Sequence, residues 1–254
     1  MKKLELIALE GIPLIEEGDN LVEIILTALE RNKISLSNGN VLVIAQKIVS
    51  KSEGRYASLN DIKPSQQAID LSRETDKDPK LVQLILNESK EVVRYRKGVI
   101  VVENILGLIH ANAGIDKSNI KSDSNNPRVL LLPLNPDKSA KEIRKEILKK
   151  TKKKVGIIIN DSSGRAWRNG IVGIAIGSSG ADVLTDLRGK TDLFGNTLQV
   201  TEVGIADEIA SAASLLMGQG KEGLPVIIVK GFSKSTDKNG AKALIRKASE
   251  DLFR

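Results

Sequence analysis

The chain has 254 residues, 41% hydrophobic and 28% charged, with 39 basic against 32 acidic side chains and a formal net charge of +7. That length buries a real core as one large domain or two small ones, while the absence of cysteine excludes disulfides, thiolate zinc sites and a cysteine nucleophile. With a single histidine as well, any metal must be held by oxygen, which favours magnesium, manganese or calcium over zinc.

The opening MKKLELIALEG has two lysines, but its apolar stretch is short, is interrupted by Glu5 and lacks a small-residue cleavage site. No signal peptide is expected, and no apolar run reaches the roughly 18 residues that span a bilayer, so the protein is expected in the cytoplasm and off the membrane. In EGIPLIEEGD, Gly11 and Pro13 interrupt an apolar segment, which reads as an edge strand with a bulge. Leu21, Ile24, Ile25, Ala28 and Leu29 repeat with helical spacing behind a capping box of Asn20 and Glu23. VLVIA (41–45) reads as a buried strand, and QKIVSKSEGR after it places Lys47 and Lys51 where an ammonium meets either a phosphate or solvent.

Further along, Asp78-Pro79 opens a helix carrying Leu81, Leu84 and Ile85, with Asp as cap and Pro at the first position. VIVVE and ILGLI (99–109) read as two strands around a turn at Asn104, VLLLPLN (129–135) as a strand end, and Ser139 with Glu142 as the start of a basic helix, SAKEIRKEILKK. VGIII (155–159) is a short buried strand. Residues 161–200 are rich in Gly, Asp and Ser with little period, and a loop region of that length is usually functional or disordered. A helix at about 203–217, the strand PVIIV (225–229) and a charged tail complete the chain. No internal repeat occurs, and the lysine cluster at 149–154 is the one composition shift, dividing an N-terminal part (1–150) from a C-terminal part (151–254).

The positive charge raises the local concentration of anionic partners. Nucleic acid is not expected among them, because only six aromatic residues are available to stack on bases and Tyr56, Tyr95 and Trp167 are scattered. No Walker-type phosphate loop is present. G-x-G-x-x-G occurs at Gly218, Gly220 and Gly223, but after a helix and before a strand, the reverse of a dinucleotide fingerprint. Two readings stand there: Gly218 as a helix C-cap, or a glycine backbone that with Lys221 approaches a phosphate.

IIINDSSGR (157–165) sets Asp161 and Ser162 just past a buried strand, with Arg165 and Arg168 close behind. Ligands collect at such strand ends, and carboxylate and hydroxyl oxygens suit magnesium; the plain alternative is an Asp-Ser turn. IHANAGIDKSN (109–119) has the same grammar, delivering Asp116 and Asn119 after His110, which reads as a packed residue outside the chemistry. Two strand-end aspartates and a glycine loop with lysine together outline a metal-assisted phosphate site.

The segments EGIPLI, VLVIA…VSKSEGR, NAGIDKSN, LLLPLNPD with SA, VGIIINDSSGR…RNGIVGIAIG, GKTDLFG and ADEIASAASLLMGQG, in this order from about residue 10 to 230, resemble the coenzyme F-420:L-glutamate ligase family. These enzymes add γ-linked glutamate to a deazaflavin coenzyme precursor. The resemblance implies a mixed α/β (α+β) fold, neither P-loop nor Rossmann, in a two-domain chain that forms an intertwined homodimer. It implies GTP as a substrate beside L-glutamate and the deazaflavin precursor, two magnesium or manganese ions per site, and potassium as a further candidate ion.

Carried over by position, the resemblance makes Asp116 and Asp161 metal ligands, Ser162 a hydroxyl ligand of the second metal where threonine is expected, and Asn119 a nucleotide contact. Ile12, Pro13, Leu14, Ile15 and Lys51 correspond to the rest of the nucleotide site, with the loop Met217, Gly218, Gln219, Gly220, Lys221, Glu222, Gly223 and Leu224. Gln46 and Lys47 replace a hydroxylated pair in it. Gln219 stands at a metal-ligand position where glutamate would bind more strongly, leaving a carbonyl oxygen to coordinate. The implied chemistry runs through an acyl phosphate, and for its cationic part the sequence itself offers Lys51, Arg165 and Lys221 as catalytic residues, with Lys47 as a further candidate. Two rivals remain, a related ligase with a different acceptor and a non-catalytic basic nucleotide-binding protein.

Overall fold

The computed structural model describes residues 3–232 and 239–253; residues 233–238 of the charged tail lie outside the described residues. In chain order the elements are β1 (Glu5–Ala8), α1 (Leu21–Arg31), β2 (Val41–Ala45), α2 (Gln46–Ser52), β3 (Tyr56–Ser58), α3 (Gln66–Thr75), α4 (Pro79–Asn87), β4 (Ser89–Arg96), β5 (Val99–Asn104) and β6 (Ile109–Ala111). There follow β7 (Arg128–Leu130), α5 (Pro136–Thr151), β8 (Gly156–Arg165), β9 (Arg168–Ser179), β10 (Thr185–Asp186), β11 (Glu202–Val203), α6 (Ile205–Met217) and β12 (Val226–Lys230). The fold is mixed α/β.

A five-stranded sheet in the order β1-β12-β2-β8-β9 forms the centre, and it takes strands from both sides of residue 150. All its pairings are antiparallel except β2 with β8, which run parallel with Val41 opposite Gly156 and Ala45 opposite Asn160. Successive side chains of a strand point to opposite faces, and both faces here are covered. Leu42, Ile44, Ile157, Ile159 and Ile228 pack under α1 and α5, against Ile25, Leu29, Ile143 and Ile147. Val43, Ile158, Ile227 and Val229 pack on the other side against Ala206, Ile209, Ala210 and Ala213 of α6. Two-sided burial explains why VLVIA and VGIII are unbroken apolar runs. A third core joins α4 to β5 and β7 through Leu81, Val82, Ile85, Ile100, Val102 and Val129.

The helix starts follow local chemistry. The Asn20 side chain accepts from the amides of Val22 and Glu23, and Asp78 accepts from Lys80 with Pro79 at the first helical position. The basic helix starts earlier than Ser139, because Asn135 accepts from Lys138 N and Pro136 takes the first position.

Three further expectations are corrected. Residues 9–15 form no strand: Gly11 has φ +76°, and the segment runs as coil that buries Leu9 and Ile15. Ile105–Leu108 is a turn in which Asn104 Oδ1 accepts from both Leu106 N and Leu108 N. Residues 161–200 are not one loop, since β8 continues to Arg165 and β9 returns as twelve residues. Glycine and serine weaken the strand signal there, yet the glycines serve packing. A Cβ on Gly173 would lie 2.5 Å from the Ala210 carbonyl oxygen, and one on Gly177 would lie 2.5 Å from the Pro136 backbone. Both helices therefore rest directly on the β9 backbone. Among the described residues no helix is long and apolar enough to cross a membrane.

Candidate active site

The site forms at the carboxyl ends of the one parallel pair, the position where α/β sheets collect ligands. β2 passes into α2 without a break, which sets Gln46, Lys47 and Lys51 on the helix that leaves the sheet. Asp161 follows Asn160, the register partner of Ala45, so it stands one residue beyond the pairing. The segment 109–119 is brought to the same place by two devices. First, Asn112, Ala113 and Gly114 have φ of +51°, +58° and +74°, a left-handed run held partly by Ile100 N donating to Asn112 Oδ1. Second, the backbones of Asp116 and Leu130 exchange hydrogen bonds of 2.9 and 3.0 Å.

Both Asp116 carboxylate oxygens are engaged. Lys47 Nζ lies 2.9 Å from Oδ1, and Gln46 Nε2 donates to Oδ2 at 2.6 Å. Gln46 is buried and oriented by Ser50 Oγ, which donates to its Oε1 at 2.9 Å. Asp161 is 8% exposed; its Oδ1 accepts from Ser162 N at 2.8 Å, and its Oδ2 lies 3.5 Å from His110 Nε2. Burial pushes the Asp161 carboxyl up to about 6; His110 pulls it down, the Asp116 carboxylate pushes it up, and the Ser162 amide and Lys47 pull it down.

Lys51 donates to the Asn119 carbonyl at 2.7 Å, and Asn119 Nδ2 donates to the Gly220 carbonyl at 3.1 Å, tying α2 to the glycine loop. Burial lowers the Lys51 pKa and Lys47 lowers it further, against a smaller opposite effect of Asp116. Gly218 ends α6 with its N–H on Ser214 O and φ +69°, so the helix-cap reading holds while the loop still faces the cavity. Glu222 turns its carboxylate back to the Gly220 amide at 2.8 Å.

A cavity of about 1080 Å³ opens here. Its lining includes Ile12, Pro13, Leu14 and Ile15, then Gln46, Lys47, Lys51, Asn119, Asp161 and Ser162, and from the glycine loop Met217, Gly218, Gln219, Gly220, Lys221, Gly223 and Leu224. Most of the expected residues thus converge. Glu222 and Asp116 are outside the lining: Glu222 is exposed with its carboxylate on the Gly220 amide, and Asp116 is held by Lys47 and Gln46. Arg165 is not brought to the cavity; it is exposed at the tip of the β8–β9 hairpin and donates to Asn169 O at 3.1 Å. Two sets of residues enter that the sequence reading left out: His110 beside Asp161, and Tyr56 with Arg128 in the cavity wall. Nothing local marks any of them, because the contacts that place them are long-range in sequence.

Strand-end carboxylates, a buried amide, lysines and a glycine-rich loop thus gather around one cavity on a mixed α/β scaffold, a set of side chains chemically suited to charged oxygen groups. The chain belongs to the F420-0:gamma-glutamyl ligase family, whose model matches residues 11–231. It is similar over its whole length to proteins named coenzyme F420:L-glutamate ligase. That of Methanocaldococcus jannaschii is 45% identical, covering 100% of this chain and 98% of the relative. That of Methanothermobacter thermautotrophicus is 42% identical, covering 99% of each, and that of Methanopyrus kandleri is 41% identical, covering all of both.

Proposed function

We propose that the protein is a GTP-dependent ligase that joins L-glutamate to the deazaflavin coenzyme F420 precursor, forming a γ-glutamyl amide bond and releasing GDP and phosphate. The observation that carries this reading is the convergence of Asp161, Lys47, Lys51 and the glycine loop on one cavity, with Asp116 held against Lys47 at its edge, in a chain with full-length relatives of that name.

In the proposed reaction a carboxylate oxygen of the precursor attacks the γ-phosphorus of GTP and the bond to the β-phosphate oxygen breaks, giving an acyl phosphate and GDP. The glutamate amine then attacks the acyl carbon, phosphate leaves, and the amine gives up a proton. Positioning and charge neutralisation are what a protein contributes to such transfers. Lys51, held on Asn119 at the loop, and Lys221 supply cations beside the glycine backbone. Lys47, now on Asp116, is within reach of the same space.

The donor set fits a divalent metal. Asp116 and Asp161 supply carboxylate oxygens, Ser162 a hydroxyl and Gln219 an amide oxygen, the hard donors that magnesium takes one or two carboxylates at a time with positions left for water and phosphate. The Lys47 ammonium on Asp116 marks where a cation is favoured. A bound ion would draw on Asp116, Asp161, Ser162 and Gln219, and it would supply neutralisation of phosphate charge. The proposed working form is a cytoplasmic, intertwined homodimer of two-domain chains. Its domains would be discontinuous, given the strands that the central sheet takes from both sides of residue 150.

The test is incubation of pure protein with GTP, manganese, L-glutamate and the precursor. Expected are GDP and a glutamylated product, with ATP a poor substitute. Absence of both products overturns the reading, and product with another amino acid moves it to a related ligase. Asp116→Asn and Asp161→Asn should each lower turnover by about 100-fold or more; full activity in both would dismiss the metal site.

A further inference from the structure

Only one of the six aromatic side chains lines the cavity, and it is held under an arginine. Arg128 Cζ lies 4.0 Å from the centroid of the Tyr56 ring, and both residues are in the cavity wall. Their strands fix the arrangement: β3 and β7 pair with Tyr56 opposite Leu130 and Ser58 opposite Arg128. Leu130 is bridged on its other side by Asp116, so Tyr56 of β3, Leu130 of β7 and the bridging Asp116 form one row. Two strand spacings put the Tyr56 backbone ~10 Å from that of Asp116.

Neither the Tyr56 hydroxyl nor the Arg128 guanidinium has a hydrogen-bond or ion-pair partner among the described residues. Asp123 and Asn126 line the same end of the cavity. Asn126 Oδ1 accepts from Ser58 Oγ at 2.7 Å, leaving its amide NH₂ as a donor, and Asp123 keeps Oδ2 as an acceptor while its Oδ1 takes Asn125 N at 2.9 Å. A guanidinium plane over a phenol ring, with polar groups at the edge, is the arrangement on which flat heterocycles stack.

We propose that Tyr56 and Arg128 form a stacking subsite for a planar heteroaromatic ring, nucleobase or deazaflavin, two strands away from Asp116. This inference rests on the proposed ligase reading, which supplies two ligands bearing such a ring and places their phosphates and carboxylates at the aspartate end. Asp123 and Asn126 would then read the ring's polar edge.

The experiment is calorimetric titration of wild type, Tyr56→Leu, Tyr56→Phe and Arg128→Gln with three probes: GDP with manganese, the deazaflavin precursor, and inorganic tripolyphosphate with manganese. Tyr56→Leu and Arg128→Gln are each expected to weaken one ring-bearing probe by ~10-fold or more. Tripolyphosphate binding should change by less than twofold, and Tyr56→Phe should bind like wild type. The probe that weakens identifies the ring. Equal loss for tripolyphosphate, or no loss for either ring, overturns the subsite, and because each variant tests it alone, one misfolded variant leaves the other to decide. If wild type binds neither ring-bearing probe, the ligase reading fails with the subsite; if it binds them and the variants match it, only the subsite fails.

Discussion

His110 aims Nε2 at Asp161 Oδ2 across 3.5 Å, and both side chains are buried. The other ring nitrogen, Nδ1, is buried without a hydrogen-bond partner among the described residues. The contact is long for a hydrogen bond, so the imidazole acts on the Asp161 carboxylate through proximity and packing, while Ser162 N makes the hydrogen bond to Oδ1.

His110→Phe keeps most of the volume and removes that polar contact. It is expected to weaken manganese binding by ~10-fold, the usual effect of losing a group that orients a ligand. Titration of manganese by electron paramagnetic resonance, without substrates, measures this. A change under twofold would reduce His110 to packing.

Lys47 sits where a metal would compete with it. Its ion pair with Asp116 is partly exposed, at 27% and 22%, and pairs of that kind contribute ~0.5–1 kcal/mol. Lys47→Met is therefore expected to tighten binding of manganese alone by ~2–5-fold. Binding of GDP with manganese should weaken instead, because the cation that would meet phosphate is gone. Movement of both affinities in the same direction would show that Lys47 does not exchange between the two.

Gly114 lies between His110 and Asp116 at φ +74°, and a Cβ there would meet Leu132 Cδ1 at 2.7 Å and His110 Nδ1 at 3.2 Å. Gly114→Ala is expected to destabilise the fold by ~1–3 kcal/mol. It should also lower metal affinity by displacing Asp116, which a distant mutation of equal destabilisation would not do. Urea unfolding beside the manganese titration separates the two effects.

Asp207 supplies a pH signature outside the cavity. Its carboxyl accepts from Ala175 N at 2.8 Å, and burial raises its pKa above the ordinary value, with that hydrogen bond opposing. A raised folded pKa means the folded state holds the proton more tightly than the unfolded chain. The stabilisation is complete below the unfolded value of ~3.9 and is lost as pH rises through the folded one. Asp207→Asn keeps an acceptor and carries no charge, so relative to wild type it should gain stability between pH 4 and pH 7. Urea midpoints across that range give the comparison, and parallel curves would contradict it.

The apolar framework was legible wherever burial or capping is written locally. VLVIA and VGIII are buried on both faces, and Asn20 and Asp78-Pro79 cap helices by contacts within three residues. α2 was missed because it leaves β2 with Ala45 at its cap position and no side-chain cap bond. β9 was missed because its glycines satisfy helix packing rather than strand propensity. Within the site, Asp116 and the glycine loop stand in recognisable turns and Asp161 near the end of an apolar run, whereas the partners of His110 and Tyr56 come from β8 and β7, far along the chain. No local pattern announces those meetings.

The parallel pairing of β2 with β8 carries one more implication. Ala45 faces Asn160 in the register, and Asp161 reaches the cavity only because that register is kept. A slip of one residue would exchange the two faces of β8, sending the Asp161 carboxyl toward α6 and Asn160 toward Lys47. A ligand gripping Asp161 would therefore latch the middle of the sheet. Amides of β2 and β8 should exchange with deuterium more slowly when the cavity is filled, although none of their hydrogen bonds touches the ligand.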